Sequence, residues 1–157
     1  MTYMVSLMNH KTISIQDLAP LIKEQVDAGK QVILTISGNS MLPFMIDQET
    51  IVTLEVIKRP LKRKDIVFYQ NNHGQYLLHR ILHAPKNNLI IRGDALQKKE
   101  VLARNQMIAM VTSFKQGNKV TNVGSFWYRF KVSIWLVLAP IRPLLMKIIR
   151  YQLTKKK

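Results

Sequence analysis

The sequence predicts a mainly β protein with a helix near its N-terminal end and a basic, amphipathic helical tail at its C-terminal end. Three observations carry this reading. Short β-branched and aromatic runs separated by turn residues fill the middle of the chain, a capped helical pattern precedes them, and a proline-interrupted helical pattern follows them.

Ser14-Ile15-Gln16-Asp17 has the spacing of a helix N-cap with an acid three residues on, and Leu18, Leu21, Ile22, Gln25 and Val26 follow at helical intervals up to Gly29. One helix is therefore expected over residues 14–28. From Gln31 the period changes. Val32 to Ile36, Thr50 to Ile57, Asp65 to Gln70, Gln75 to Leu82 and Asn88 to Arg92 read as strands. Asn71-Asn72-His73-Gly74 joins two of these runs as a hairpin would, and Gln116-Gly117-Asn118 joins Met107–Phe114 to Lys119–Val123. After Gly124, Phe126, Trp127, Phe130, Ile134, Trp135 and Leu138 are expected to crowd one side of a helix that Pro140 and Pro143 break. The expected divisions are a helical segment over 1–30, a β domain over 31–124 and the tail over 125–157.

Composition bounds the chemistry. At 157 residues, 47% apolar and 21% charged, the chain is long enough for one domain with a real core. It has no cysteine, which excludes disulfides, zinc-thiolate sites and a cysteine nucleophile. No histidines and acids have the spacing of metal ligands, and no cofactor motif is present, so neither a metal nor a cofactor is expected. The net charge is +15, and after Glu100 eleven basic residues face no acid at all. Such a one-signed end seeks an anionic partner: nucleic acid, an acidic precursor peptide or an anionic membrane. Met1 to His10 lacks the basic and apolar regions of an export signal. Val132 to Ile141 is about half the ~20 apolar residues that a spanning helix needs. These two features predict a cytoplasmic protein, peripheral on a membrane.

The segment Ser37-Gly38-Asn39-Ser40-Met41-Leu42-Pro43 carries the candidate chemistry. A serine hydroxyl becomes a nucleophile when a base removes its proton and N–H donors receive the oxyanion, so it must sit where backbone is exposed. Gly38 and Pro43 bracket Ser40 suitably, while a capping serine in a strand-to-helix turn is the plainer alternative. Strand alternation places His79 with Leu77 and Ile81, where a satisfied core histidine is the plainer reading. His73, His83 and His10 fall in turns or loose segments and are expected to be solvated.

Gly38-Asn39-Ser40-Met41-Leu42-Pro43, then Lys64-Asp65-Ile66-Val67, then His79-Arg80-Ile81, then Arg92-Gly93-Asp94, in that order and over residues 31–115, resemble the type I signal peptidases and the self-cleaving SOS repressors related to them. The resemblance implies a fold of coiled antiparallel β-sheets and a serine endopeptidase acting on a precursor or leader peptide. It implies Ser40 as nucleophile and His79 as base, as in the histidine subtype of that family, with Asp94 orienting the imidazole. Asp94 in a purely structural Gly-Asp turn is the alternative, because Ala95 follows where the family carries asparagine. Asp65 is implied to support strand geometry. Gly38, Asn39 and Met41 flank the nucleophile as groove and oxyanion candidates. The Ser40 backbone N–H is the surest donor, with Ser37 and Asn39 as helpers.

The family's spanning helix before the serine block has no counterpart here. The tail over 125–157 is expected to substitute by lying on an anionic membrane surface, and packing on the β core or a partner chain is its alternative. The basic run Lys58, Arg59, Lys62, Arg63 and Lys64 is expected to be a solvated loop face. Two other functions fit the residues. One is a self-cleaving regulator cut at Ala28-Gly29, which lies close to Ser40 and has no helix-turn-helix before it. The other is a non-catalytic basic adaptor for membrane or nucleic acid. No specific nucleic-acid partner is expected.

Overall fold

A computed structural model describes residues 14–156, the side chain of the last excepted; His10 and the stretch expected to lack an export signal lie outside the described residues. The first helix, α1, runs Ile15–Asp27. Ser14 caps it, its hydroxyl accepting the Gln16 N–H at 3.2 Å. At the other end the Gly29 and Lys30 N–H groups fold back onto the Val26 and Gln25 carbonyls, with Gly29 at φ 76°, a glycine-closed helix end. Ala19, Ile22 and Val26 form its buried side.

Among the described residues there are eight strands, β1 (Val32–Thr35), β2 (Thr50–Glu55), β3 (Ile66–Gln70), β4 (Tyr76–His83), β5 (Asn88–Arg92), β6 (Glu100–Ala103), β7 (Met107–Gln116) and β8 (Lys119–Asn122). They form one antiparallel sheet in the order β1-β2-β7-β3-β4-β5-β6, with β8 paired to β7. Both expected hairpins form, turning at Gly74 (φ 77°) and Gly117 (φ 55°). β6 is a strand that the sequence reading lacks.

Register shifts interrupt the ladder between Thr53 and Leu54, Phe68 and Tyr69, and Ile81 and His83. Such irregularities bend strands and re-aim side chains. They accompany a division of the core in two. One part gathers α1 with β2, β3 and β7 around Val26, Leu54, Phe68 and Val111. The other gathers β3 to β6 around Val67, Tyr69, Ile81, Leu89, Ile91 and Leu102. Strand alternation assigns neighbours to opposite sides, so on β4 His79 and Ile81 face one way and Arg80 the other.

The expected tail is two helices, α2 (Phe126–Val137) and α3 (Arg142–Lys156), bent by 119° at a break that contains Pro140, while Pro143 lies in the first turn of α3 rather than in the break. Nor do its apolar residues crowd one side: Trp135 is buried, whereas Phe126, Trp127, Phe130 and Ile134 are exposed. The helix is apolar on both faces, which the spacing of its apolar residues alone does not separate from a single stripe. Tyr128 and Val132 enter the first core. Trp135 and Met146 pack with Leu42, flanked by Ala95, Leu145 and Ile149. The basic loop is only partly a solvated face, since Arg59 makes a two-point contact at 2.7 and 3.0 Å with buried Asp65, which Arg129 of α2 also approaches at 3.4 Å. Asp65 thus supports local geometry, binding the loop to the strand start and to α2.

Candidate active site

Ser40 lies in the irregular turn that follows β1. The turn depends on Gly38, whose φ of 94° a side chain would strain and whose N–H donates to Asp47 Oδ1 at 2.8 Å. That bond engages the Gly38 donor and fixes the chain one residue before Asn39. Met41 anchors the turn in the first core, and its carbonyl accepts the Phe44 and Met45 N–H groups at 3.1 Å. Asn39 is exposed and its carbonyl accepts the Leu42 N–H at 3.4 Å. The N–H groups of Ser40 and Met41 have no acceptor among the described residues, so neither donor is spent within the protein, although Met41 itself is buried.

The Ser40 carbonyl is fixed from the other side, accepting the Ala95 N–H at 2.9 Å. Here the Arg92-Gly93-Asp94 segment meets the serine. A Cβ on Gly93 would lie 2.7 Å from Ser40 O and 3.1 Å from His79 Cδ2. Glycine is required because the serine backbone and the imidazole approach it together. Ser40 and His79 are therefore neighbours across Gly93, and the Ser40 hydroxyl itself makes no hydrogen bond among the described residues, His79 included.

His79 is 6% exposed. Its Nδ1 lies 2.8 Å from Tyr69 Oη, which donates to Glu100 Oε2 at 2.6 Å. A phenol has one proton, and a carboxylate only accepts. With that O–H directed at Glu100, Tyr69 accepts from the imidazole, so Nδ1 carries hydrogen and Nε2 has the free lone pair. The register makes this possible: Val67 pairs with His79 and Tyr69 with Leu77, leaving Tyr69 and His79 as diagonal neighbours on one face. Glu100, opposite Ile91 on β6, reaches the same core.

Burial pushes the imidazole below its ordinary value, against the opposing pull of the Glu100 and Asp94 charges, so it is neutral at pH 7. Burial, with the bond to Glu100, pushes the Tyr69 phenol well above its usual range. Tyr69 therefore keeps its proton.

Asp94, expected to orient the imidazole, makes its hydrogen bonds elsewhere. Its carboxylate takes Arg80 Nε at 2.8 Å and Arg80 Nη2 at 2.6 Å in a fully buried pair, and Arg80 also donates to Tyr128 Oη at 2.8 Å. The Asp94 carbonyl accepts Trp135 Nε1 at 3.0 Å. The physical reason is strand alternation, since Asp94 lies on the Arg80 side of β4 and reaches His79 only through space. Tyr69 and Glu100, which hold the imidazole, were missed from the sequence. The alternation of Val67 and Tyr69 on β3 with His79 and Ile81 on β4 was the available signal for Tyr69.

A cavity of about 330 Å³ opens on the far side of the serine, lined by Ser40, Met41, Leu34, Phe68 and Leu78 with Leu18 of α1. It is mostly apolar, with Ser37 and Gln48 also on its wall, and among the described residues β1 beside it pairs with β2 alone, leaving one backbone edge unpaired. His79 is not among its lining residues. No group of three or more histidines and acids among the described residues is placed to hold a metal ion. Compared with known proteins, the chain matches no family model and no curated protein sequence.

Proposed function

We propose that this chain is a serine endopeptidase of signal-peptidase-like fold and mechanism, cleaving a precursor or leader peptide. The observation that carries the reading is the meeting of Ser40 and His79, remote in sequence, on either side of Gly93. The substrate lies extended along the free edge of β1, gaining main-chain hydrogen bonds there and placing apolar side chains in the adjoining cavity. Nε2 of His79 takes the Ser40 hydroxyl proton as Oγ bonds to the scissile carbonyl carbon. The Ser40 N–H, with that of Met41, receives the oxyanion. The C–N bond then breaks as the imidazolium returns the proton to the leaving amine, and water releases the acyl group by the same route. Tyr69 and Glu100 act as positioning residues that keep Nε2 unprotonated and aimed.

The test is acylation by a fluorophosphonate probe, with mass spectrometry to place the adduct. Labelling at Ser40 that Ser40→Ala abolishes and His79→Ala reduces at least ~100-fold is expected. A purified chain without labelling, and cells whose peptide processing is unchanged by Ser40→Ala, would overturn it in favour of a non-catalytic adaptor. Self-cleavage at Ala28-Gly29 is disfavoured, because that peptide is wound into the end of α1 by the Gly29 and Lys30 hydrogen bonds.

A further inference from the structure

Helix α2 has an unusual surface. Its inner side, Tyr128, Val132 and Trp135, is buried against the β domain. Its outer side should be polar in a helix that faces only water. Instead Phe126 is 74% exposed, Trp127 72% and Val137 78%, with Phe130 and Ile134 about half exposed between them. At ~100° per residue these five fall in one stripe roughly a quarter-turn wide, opposite the buried side. Phe126, Trp127 and Phe130 contact one another with ring centroids 5.5–6.4 Å apart. Helix α3 repeats the arrangement: Met146 is buried, and Leu144, Ile148 and Tyr151 are exposed at successive turns.

Charge identifies what covers these stripes. Lys131 flanks the first, Lys147 and Arg150 flank the second, and Lys155 lies over the Tyr151 ring at 4.8 Å. Beside Trp127, Lys119 and Lys131 line an open cavity of about 440 Å³ between the β7–β8 hairpin and α2. No acid follows Glu100. A second copy of the chain would bring like charges together on this face. An anionic bilayer accepts both the apolar stripe and its cationic margins, with tryptophan and tyrosine at the boundary.

We infer that the outer faces of α2 and α3 dock on an anionic lipid surface as an interfacial anchor. Neither helix crosses alone, since no single helix among the described residues is long and apolar enough, and α2, at 12 residues, reaches ~18 Å against a hydrocarbon core of ~30 Å. The two pass such a test only together, across the 119° bend, and straightening it would strip Trp135 and Met146 from Leu42. The same packing ties the anchor to the site, because Leu42 and Ala95 belong to the Ser40 and Asp94 turns. Docking therefore sets the serine at a fixed height above the lipid.

The experiment is co-sedimentation of the full chain with vesicles of phosphatidylcholine alone or mixed with phosphatidylglycerol, which requires no peptide cleavage. Binding to the anionic vesicles at least roughly tenfold tighter than to neutral ones, weakened by salt, is expected. Trp127→Ser with Val137→Ser, at exposed positions, should lower it at least tenfold with the thermal midpoint unchanged, and K131Q/K147Q/R150Q should remove the anionic preference. Brominated lipid should quench Trp127 in the unaltered chain, and Trp127→Phe should abolish the quenching while buried Trp135 still emits. Equal binding to both vesicles, binding indifferent to these variants, or a dimer that occludes Trp127 and prevents binding would each overturn the inference. So would duplex DNA binding that displaces the vesicles.

Discussion

Tyr69 Oη stands 2.8 Å from His79 Nδ1 and donates its hydrogen bond to Glu100, so the hydroxyl fixes which imidazole nitrogen is bare. Tyr69→Phe keeps the ring in its buried place and removes only the oxygen. We expect a kcat lower by about tenfold, equivalent to ~1.4 kcal/mol of barrier, with KM little changed. Nitrogen-15 NMR of His79 supplies the readout that mere packing would not move: a predominantly Nδ1–H tautomer in the unaltered chain and a mixture in Tyr69→Phe. An unchanged tautomer would remove Tyr69 from the mechanism.

The acid limb of the pH profile follows from the same residue. Burial lowers the His79 pKa, so the neutral base is present above that value and lost as pH falls through it, in a window below the ordinary ~6.5. Glu100 pulls the other way. Glu100→Gln should therefore move the acid limb of kcat/KM to still lower pH. A limb that moves upward would contradict the assigned electrostatics.

Asp94 and Glu100 should separate cleanly. Asp94→Asn leaves the Arg80 guanidinium fully buried without its counter-charge, a loss of about 3–5 kcal/mol by denaturant unfolding. Glu100→Gln, at a half-buried carboxylate, should cost ~1 kcal/mol or less. Equal stability losses would mean that the buried pair is not the dominant role of Asp94.

Gly93→Ala puts a methyl group 2.7 Å from the Ser40 carbonyl oxygen, closer than the backbone tolerates. The turn must shift, at a cost of about 1–3 kcal/mol. Because the displaced atoms belong to Ser40 and border His79, probe labelling should fall by more than tenfold even under conditions where the variant is folded. Undiminished labelling would show that the two residues are not held together through this glycine.

Much of this arrangement is legible in the sequence because its signals are local. The Ser14 cap and Gly29 end delimit α1, and glycines at 74 and 117 mark the hairpins. Gly38 makes the turn that exposes Ser40. The rest depends on pairings that local pattern does not contain. β6 is only four residues long and follows Lys98 and Lys99, so it lacks a strand's signature, and with it went Glu100. The family resemblance pairs Asp94 with His79, whereas the pleat turns His79 and Arg80 to opposite sides and gives the carboxylate to Arg80. The outer stripe of α2 was merged with the inner because both are apolar at helical spacing.

The adjacency of His79 and Arg80 on β4 has a consequence for how the sequence tolerates change. Slipping β4 by one residue against β3 would turn the arginine toward Tyr69 and the histidine toward Asp94, abolishing the proton acceptor and the buried ion pair in a single step. A one-residue insertion or deletion in the Asn71–Gln75 turn threatens that slip. Loop length there is thus coupled to activity and folding at once, and chains misaligned in this hairpin should be lost to proteolysis before they persist as stable, inactive proteins.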